Sequence, residues 1–321
     1  MYLCPNCKEA MNPPHCPKCG YAVKTINHIW QFTDMPDFVI DGDGDKYIGY
    51  EHIGENYSGN QKYIVNERDR LISEEIAKLM RDGVFLDLAC GDGCLTVPCA
   101  ALGVKVIAGD ISNAMLGILQ ERASHNSVSL EKVSLCRMNA LDIPLTDESV
   151  NVAVANSMLH LISNPQKVIA EIYRVLKKGG IFVCVEDSPG KSRENDFDNS
   201  KYNVIVSTLY RAYWNELNKQ GIFAKKYSWH FDRDAYCTEL FSSVETIVIK
   251  RGNTYSIPMK EGFLPRFVGR GFSDQVDVPS EIHKKIVDDL LRRFAEAYGD
   301  DFADVSYQGI EDDLVITKYR K

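Results

Sequence analysis

The chain has 321 residues, 45% of them hydrophobic and 26% charged, which fits one large globular domain with a small appendage and excludes collagen-like, coiled-coil and disordered classes. Its formal net charge of -8 at pH 7 argues against a surface given over to gripping phosphate backbones, a task that needs clustered Lys and Arg. No apolar run reaches the roughly 18 residues of a membrane span. The start Met1-Tyr2-Leu3-Cys4 lacks the basic and apolar regions of a signal peptide, so a cytoplasmic protein with no membrane partner is expected.

The first element is a cysteine cluster. Cys4-x-x-Cys7 and Cys16-x-x-Cys19 each offer two thiolates about one turn apart, and together they satisfy a tetrahedral Zn(II). Residues 1–24 cannot assemble a core of their own and need a metal to fold. With all four positions filled by protein, that zinc is structural. The other six cysteines, Cys90, Cys94, Cys99, Cys136, Cys184 and Cys237, stand in apolar surroundings and read as buried thiols.

Residues 34–60 show no sustained periodicity, and 25–60 read as a linker that also covers the next domain, with Tyr57 placed to lie over a cofactor. A helix follows through Leu71, Ile72, Ile76, Leu79 and Met80, closed by Gly83. From Val84 to Asp187, short apolar runs alternate with amphipathic stretches. This predicts strands near 84–89, 104–109, 132–138, 150–156 and 180–186 with helices near 94–102, 112–124 and 165–178 between them. Residues 190–240 interrupt the alternation and read as an inserted helical cap rich in aromatic residues. Strands return near 243–249 and 313–319, separated by a helix from Glu281 to Ala297. Residues 61–321 thus form one α/β domain behind the ribbon and linker.

The chemistry gathers at the strand ends. Val84-Phe-Leu-Asp-Leu-Ala-Cys-Gly-Asp-Gly-Cys-Leu-Thr96 is an apolar strand entering a glycine turn and a helix, where Gly91 and Gly93 let backbone approach a ligand closely. A second strand ends in Asp110, an acid able to accept two ribose hydroxyls. A dinucleotide fingerprint wants a further glycine where this chain has Thr96, which disfavours NAD.

These residues, with Met138-Asn-Ala-Leu-Asp-Ile-Pro144, Ser157-Met-Leu-His160 and Glu171 to Gly180, resemble the motifs of the class I, Rossmann-like methyltransferases over about residues 60–190. The resemblance implies a seven-stranded sheet with its last strand antiparallel, helices on both faces, and S-adenosyl-L-methionine as cofactor. It implies cofactor contacts from Asp87, Ala89, Cys90, Gly91 and Gly93, from Asp110, Ile111 and Met115, from Asn139, Ala140 and Leu141, and from Asn156. Ala89 stands where many members have glycine, and Asn139 where Asp is more usual.

Methyl transfer rests mainly on alignment, with proton removal where the acceptor needs it. His160, just beyond the fourth strand, is the first candidate base, and Tyr57 the second catalytic candidate. The leading expectation is methylation of a small molecule. Tyr210, Tyr213, Trp214, Trp229 and His230 would form an aromatic pocket wall. The second reading is an RNA base methyltransferase that recognises rRNA or tRNA through the ribbon, since the ribbon resembles those fused to ribosomal RNA guanine-N1 enzymes. The third is a non-catalytic cofactor-binding or activator protein.

Overall fold

The computed structural model describes residues 1–36, 45, 49–50, 63–80, 82–187, 200–223, 231–275 and 278–321. Tyr57, Trp229 and His230 lie outside the described residues.

In chain order, β1 (Tyr2–Leu3) and β2 (Ala10–Met11) pair within the cysteine cluster, and β3 (Lys24–Ile26) and β4 (Ile29–Gln31) form a hairpin. The hairpin turns on Asn27 and His28, both with left-handed backbone, as the right-handed twist of two paired strands requires of a two-residue turn. Helix α1 (Glu67–Leu79) opens with the Asn66 side chain accepting the Asp69 amide and buries Ile72 and Ile76.

Then come β5 (Phe85–Leu88), α2 (Thr96–Ala101), β6 (Val106–Asp110), α3 (Asn113–His125), β7 (Val133–Arg137), β8 (Val150–Asn156), α4 (Pro165–Val175) and β9 (Leu176–Asp187). Ser112 caps α3 through the Met115 amide, and α4 begins with Pro165, whose missing N–H is no loss in the first turn. The remainder comprises α5 (Ser200–Lys219), α6 (Arg233–Leu240), β10 (Ser243–Ile249), β11 (Thr254–Pro258), α7 (Phe263–Val268), α8 (Ser280–Tyr298), β12 (Ser306–Ile310) and β13 (Leu314–Arg320).

The main sheet runs β10-β13-β9-β8-β5-β6-β7-β4-β3. Strands β4 to β9 are mutually parallel, and β13 is antiparallel to both β9 and β10. The expected seven strands are there, last strand reversed, but the sheet has nine. The hairpin that follows the ribbon adds the other two, in residues read from sequence as linker. Strands of three residues are too short to carry a period, and only pairing with β7 makes them strands.

Two apolar clusters cover the sheet faces. One holds Ile72, Ile76, Leu116 and Leu119 of α1 and α3, and the other Val168, Ile169 and Ile172 of α4. Central β5 is buried at every position, as a strand covered on both faces must be. A third cluster lies apart from the sheet and joins Leu209, Tyr213 and Leu217 of α5 to Phe263 and Phe267 of α7 and Ile286, Leu290 and Phe294 of α8.

The cap is therefore built from two stretches of chain on either side of β10, not from residues 190–240 alone. Its aromatic residues fill its own core. Tyr213 is fully buried with its hydroxyl 2.7 Å from His283 Nδ1, and Tyr210 donates to Asp274 Oδ1 at 2.5 Å. Among the described residues, Tyr210, Tyr213 and Trp214 belong to this core and not to a pocket wall, because aromatic residues at helical spacing pack first against the facing helices.

Candidate cofactor and acceptor site

Strand β5 has β6 on one side and β8 on the other. The chain crosses over in opposite directions from it, and a crevice opens at the carboxyl ends of these strands. A cavity of about 550 Å³ lies there. Asp87 of β5 lines it with Ala89, Cys90 and Gly91 of the turn that follows, Asp110 and Ile111 at the end of β6, and Met115 of α3. The turn after β7 contributes Asn139 and Ala140, and the end of β8 Asn156.

Gly93, Leu141 and His160, also named from sequence, are not among its lining residues. A Cβ at Gly93 would come within 2.5 Å of Leu119 Cγ, so this glycine lets α3 pack against the turn. Leu141 is buried and donates its amide to Asn139 Oδ1 at 2.9 Å, closing the turn from behind. His160 sits in the short 3-10 turn Leu159–Leu161 and is exposed, although partial desolvation holds its pKa below the ordinary histidine value. Its neighbours Met158 and Leu161 reach the cavity, but it does not.

The acids are held by fixed donors. Asp110 Oδ2 accepts the Gly91 amide and Oδ1 the Ser112 amide, each at 2.9 Å. Asp87 accepts from Thr96 Oγ1 at 2.6 Å, and burial pushes its pKa up to about 7. Thr96, which fills the place of a third glycine, thus orients the acid at the floor of the cavity. Ala89 has a φ of 55°, a left-handed conformation that costs a residue with a Cβ roughly 1 kcal/mol and bends the chain sharply away from β5.

Other lining residues were not legible in the sequence. Arg68 and Asp69 come from the start of α1, Asp92 from the glycine turn, Arg122 from α3 and Arg266 from α7. Arg122 is 3% exposed, with Nη1 2.9 Å from Asp92 and Nη2 4.0 Å from Asp69. Burial raises the Asp69 pKa to about 6 against the pull of Arg68 and Arg122. One signal was available: Arg122 lies on the helical stripe of Ile118, Leu119 and Ala123, where a charge is expected only if it has a buried partner.

The four N-terminal cysteines also converge, with all Sγ atoms within 4.8 Å of one another. The pairs Cys4–Cys19 and Cys7–Cys16 are each 3.6 Å apart, close to the edge of about 3.8 Å of a tetrahedron built on 2.3 Å Zn–S bonds. The Tyr21 amide first, then the Asn6 side chain, lower the pKa of the Cys19 thiol, which favours the thiolate that a metal binds. The donor set fits zinc.

Residues 86–184 match a family model described as a methyltransferase domain. Demethylmenaquinone methyltransferase of Symbiobacterium thermophilum is 33% identical over 150 residues, covering 45% of this chain and 59% of that protein. The enzyme of the same name from Alkalihalophilus pseudofirmus is 26% identical over 238 residues, covering 71% and 87%. The chain therefore spans less than two thirds of the first relative's length. Among solved structures, a protein described as a putative methyltransferase from Bacillus halodurans aligns at a TM-score of 0.43 and 20% identity, over 79% of this chain and 98% of that one.

Proposed function

Starting from a chain that carries the class I methyltransferase domain, we propose that it is an S-adenosylmethionine-dependent enzyme that methylates a small molecule in the cavity at the ends of β5, β6 and β8. The observation that carries the reading is Asp110, a carboxylate at the end of β6 that lines the cavity and is pinned by two backbone amides. That arrangement suits the two hydroxyls of a ribose and is assembled before any ligand arrives.

The cofactor brings an electrophilic methyl on a sulfonium, and the chain's own residues do the rest. Asp110 holds the ribose. The turn Met138-Asn139-Ala140 faces the adenine, where Asn139 Oδ1, already bonded to the Leu141 amide, keeps a second lone pair. Asp87 and its neighbouring acids set a negative potential around the cationic end of the cofactor. Met158, Leu161 and Ile162 supply apolar wall that excludes water from the methyl path. Zinc held by Cys4, Cys7, Cys16 and Cys19 is structural in this reading.

The names of the relatives favour a quinone-type aromatic ring as acceptor, and the apolar wall suits one. RNA methylation has no comparable support. Acids lie among the basic residues of the C-terminal half, and no relative named above is an RNA enzyme.

The test is to titrate the purified chain with S-adenosylhomocysteine in a calorimeter, then to incubate it with methyl-labelled cofactor, a demethylated quinol, a metabolite extract and cell RNA. Label in the quinol or a small metabolite is the expected result. Label in RNA, with salt-sensitive RNA binding, would replace this reading by the alternative.

A further inference from the structure

We propose that the four-cysteine ribbon is a positioning element for the cofactor cavity: it holds in place the turn that supplies Met138, Asn139 and Ala140 to the cavity wall. The inference rests on reading that cavity as the S-adenosylmethionine site. No residue of the ribbon itself is among the described residues lining the cavity, so any effect of the ribbon must pass through the turn.

The turn from Met138 to Thr146 leaves β7 without regular structure of its own beyond a bridge between Asn139 and Asp142. Its register is set by what lies against it. The Leu3 amide donates to the Pro144 carbonyl at 3.0 Å, and the Thr146 amide donates to the Met1 carbonyl at 2.7 Å. Tyr2 pairs with Leu145 as an antiparallel bridge. The first three residues of the chain are thus an added strand on the far end of the turn.

The near end is held by the chain that leaves the ribbon. The Tyr2 ring stacks on Phe32 with centroids 5.0 Å apart, and the Phe32 amide donates to the Arg137 carbonyl at 3.0 Å. Arg137 Nη2 donates to the Met35 carbonyl at 2.7 Å, and Asn139 Nδ2 approaches Met35 Sδ at 3.4 Å. On the outside, Lys8 Nζ donates to Asp142 Oδ2 at 2.6 Å, but both side chains are more than half exposed, and such a pair adds little.

The metal enters through Cys4, which follows β1 directly. Cys4 and Cys16 are buried in the same apolar cluster as Leu141, Ile143 and Leu145, so ribbon and turn share one core. A segment this short has no core of its own, and the bond from metal to Cys4 fixes where Met1–Leu3 can lie. Zinc occupancy and cofactor affinity are thereby linked, across a distance, through backbone pairing.

The test uses the full chain. S-adenosylhomocysteine affinity is measured by calorimetry on zinc-loaded protein, after chelation, and after zinc is restored, together with Tyr2→Ala and Tyr2→Phe. The expected result is affinity about tenfold weaker after chelation, as for a binding loop that must now be ordered by the ligand, and recovery with zinc. Tyr2→Ala should keep one zinc and still weaken binding, whereas Tyr2→Phe, which keeps the stack, should not. The Thr146 amide should exchange faster with solvent while those of Leu86 and Ile107 in β5 and β6 do not.

Affinity within twofold of the original after chelation and in Tyr2→Ala would overturn the proposal and leave the cofactor reading standing. If chelation unfolds the whole chain, the zinc-bound Tyr2→Ala result decides. Zinc-loaded protein that does not bind S-adenosylhomocysteine at all would overturn the cofactor reading and this inference with it.

Discussion

The carboxyl ends of β5, β6 and β8 and the helical cap meet the cavity on very different terms. From the sheet end, its turns and the start of α3 come ten of the residues named from sequence, Asp87, Ala89, Cys90, Gly91, Asp110, Ile111, Met115, Asn139, Ala140 and Asn156. The cap, with Tyr210, Tyr213, Phe263, Phe267 and Phe294 in its core, sends only Arg266 among the described residues.

A parallel sheet leaves a crevice wherever neighbouring connections leave in opposite directions, and left-handed residues such as Ala89 and Gly91 turn the backbone away from it. Helices meeting through aromatic side chains leave no such opening, because interiors pack to high density. The sheet end is thereby given to a ligand, and the cap mostly to its own stability.

The largest expected effect lies in the cap. Phe267→Ala removes a fully buried ring that meets Tyr210, Tyr213 and Phe263 and should cost about 3–5 kcal/mol of cap stability. S-adenosylhomocysteine affinity should stay within about twofold; chemical denaturation beside calorimetry measures both, and a parallel loss of affinity would erase the distinction between the two regions.

Next comes Asp110→Ala at the sheet end, which should weaken cofactor binding about tenfold or more, the value of a lost charge-assisted hydrogen bond of roughly 1.5–3 kcal/mol. Unchanged affinity would remove the sheet end from cofactor recognition.

The pH dependence is smaller and has a definite sign. Asp87 is raised to about 7 by burial, so its contribution to stability is fully present below the ordinary carboxyl range near 4 and is lost as pH rises through 7. A cationic ligand favours the ionised form. Affinity for S-adenosylmethionine should therefore rise by up to several-fold as pH climbs from about 5.5 to about 7.5, a trend absent from Asp87→Asn. A flat profile would show that this acid does not face the ligand.

The smallest effect sharpens the comparison from the cap side. Arg266, whose guanidinium carbon lies 4.8 Å from the centre of the Phe272 ring, should affect acceptor and not cofactor. Arg266→Ala should raise the acceptor KM by a few-fold and leave S-adenosylhomocysteine affinity unchanged. Equal changes in both would assign Arg266 to the cofactor.

What could be read directly from the chain was local in origin. Gly91 and Ala89 sit in a strand-to-helix turn whose conformation is decided within a few residues, Asp110 ends a strand of unbroken apolar character, and the cysteine pairs announce their geometry by spacing. The strands β5 to β10 and β13 followed from the same short-range periodicity. The tertiary structure decided everything that depends on residues meeting from afar. Arg68, Arg122 and Arg266 reach one cavity from three helices, β3 and β4 become strands only against β7, and Gly93 answers to Leu119. The aromatic residues of α5 are core because α7 and α8 fold back over them. Turn chemistry and spacing act over a few bonds and leave a mark in the order of residues, whereas packing partners are chosen by the fold, and a single chain carries no local trace of which of its distant segments will meet.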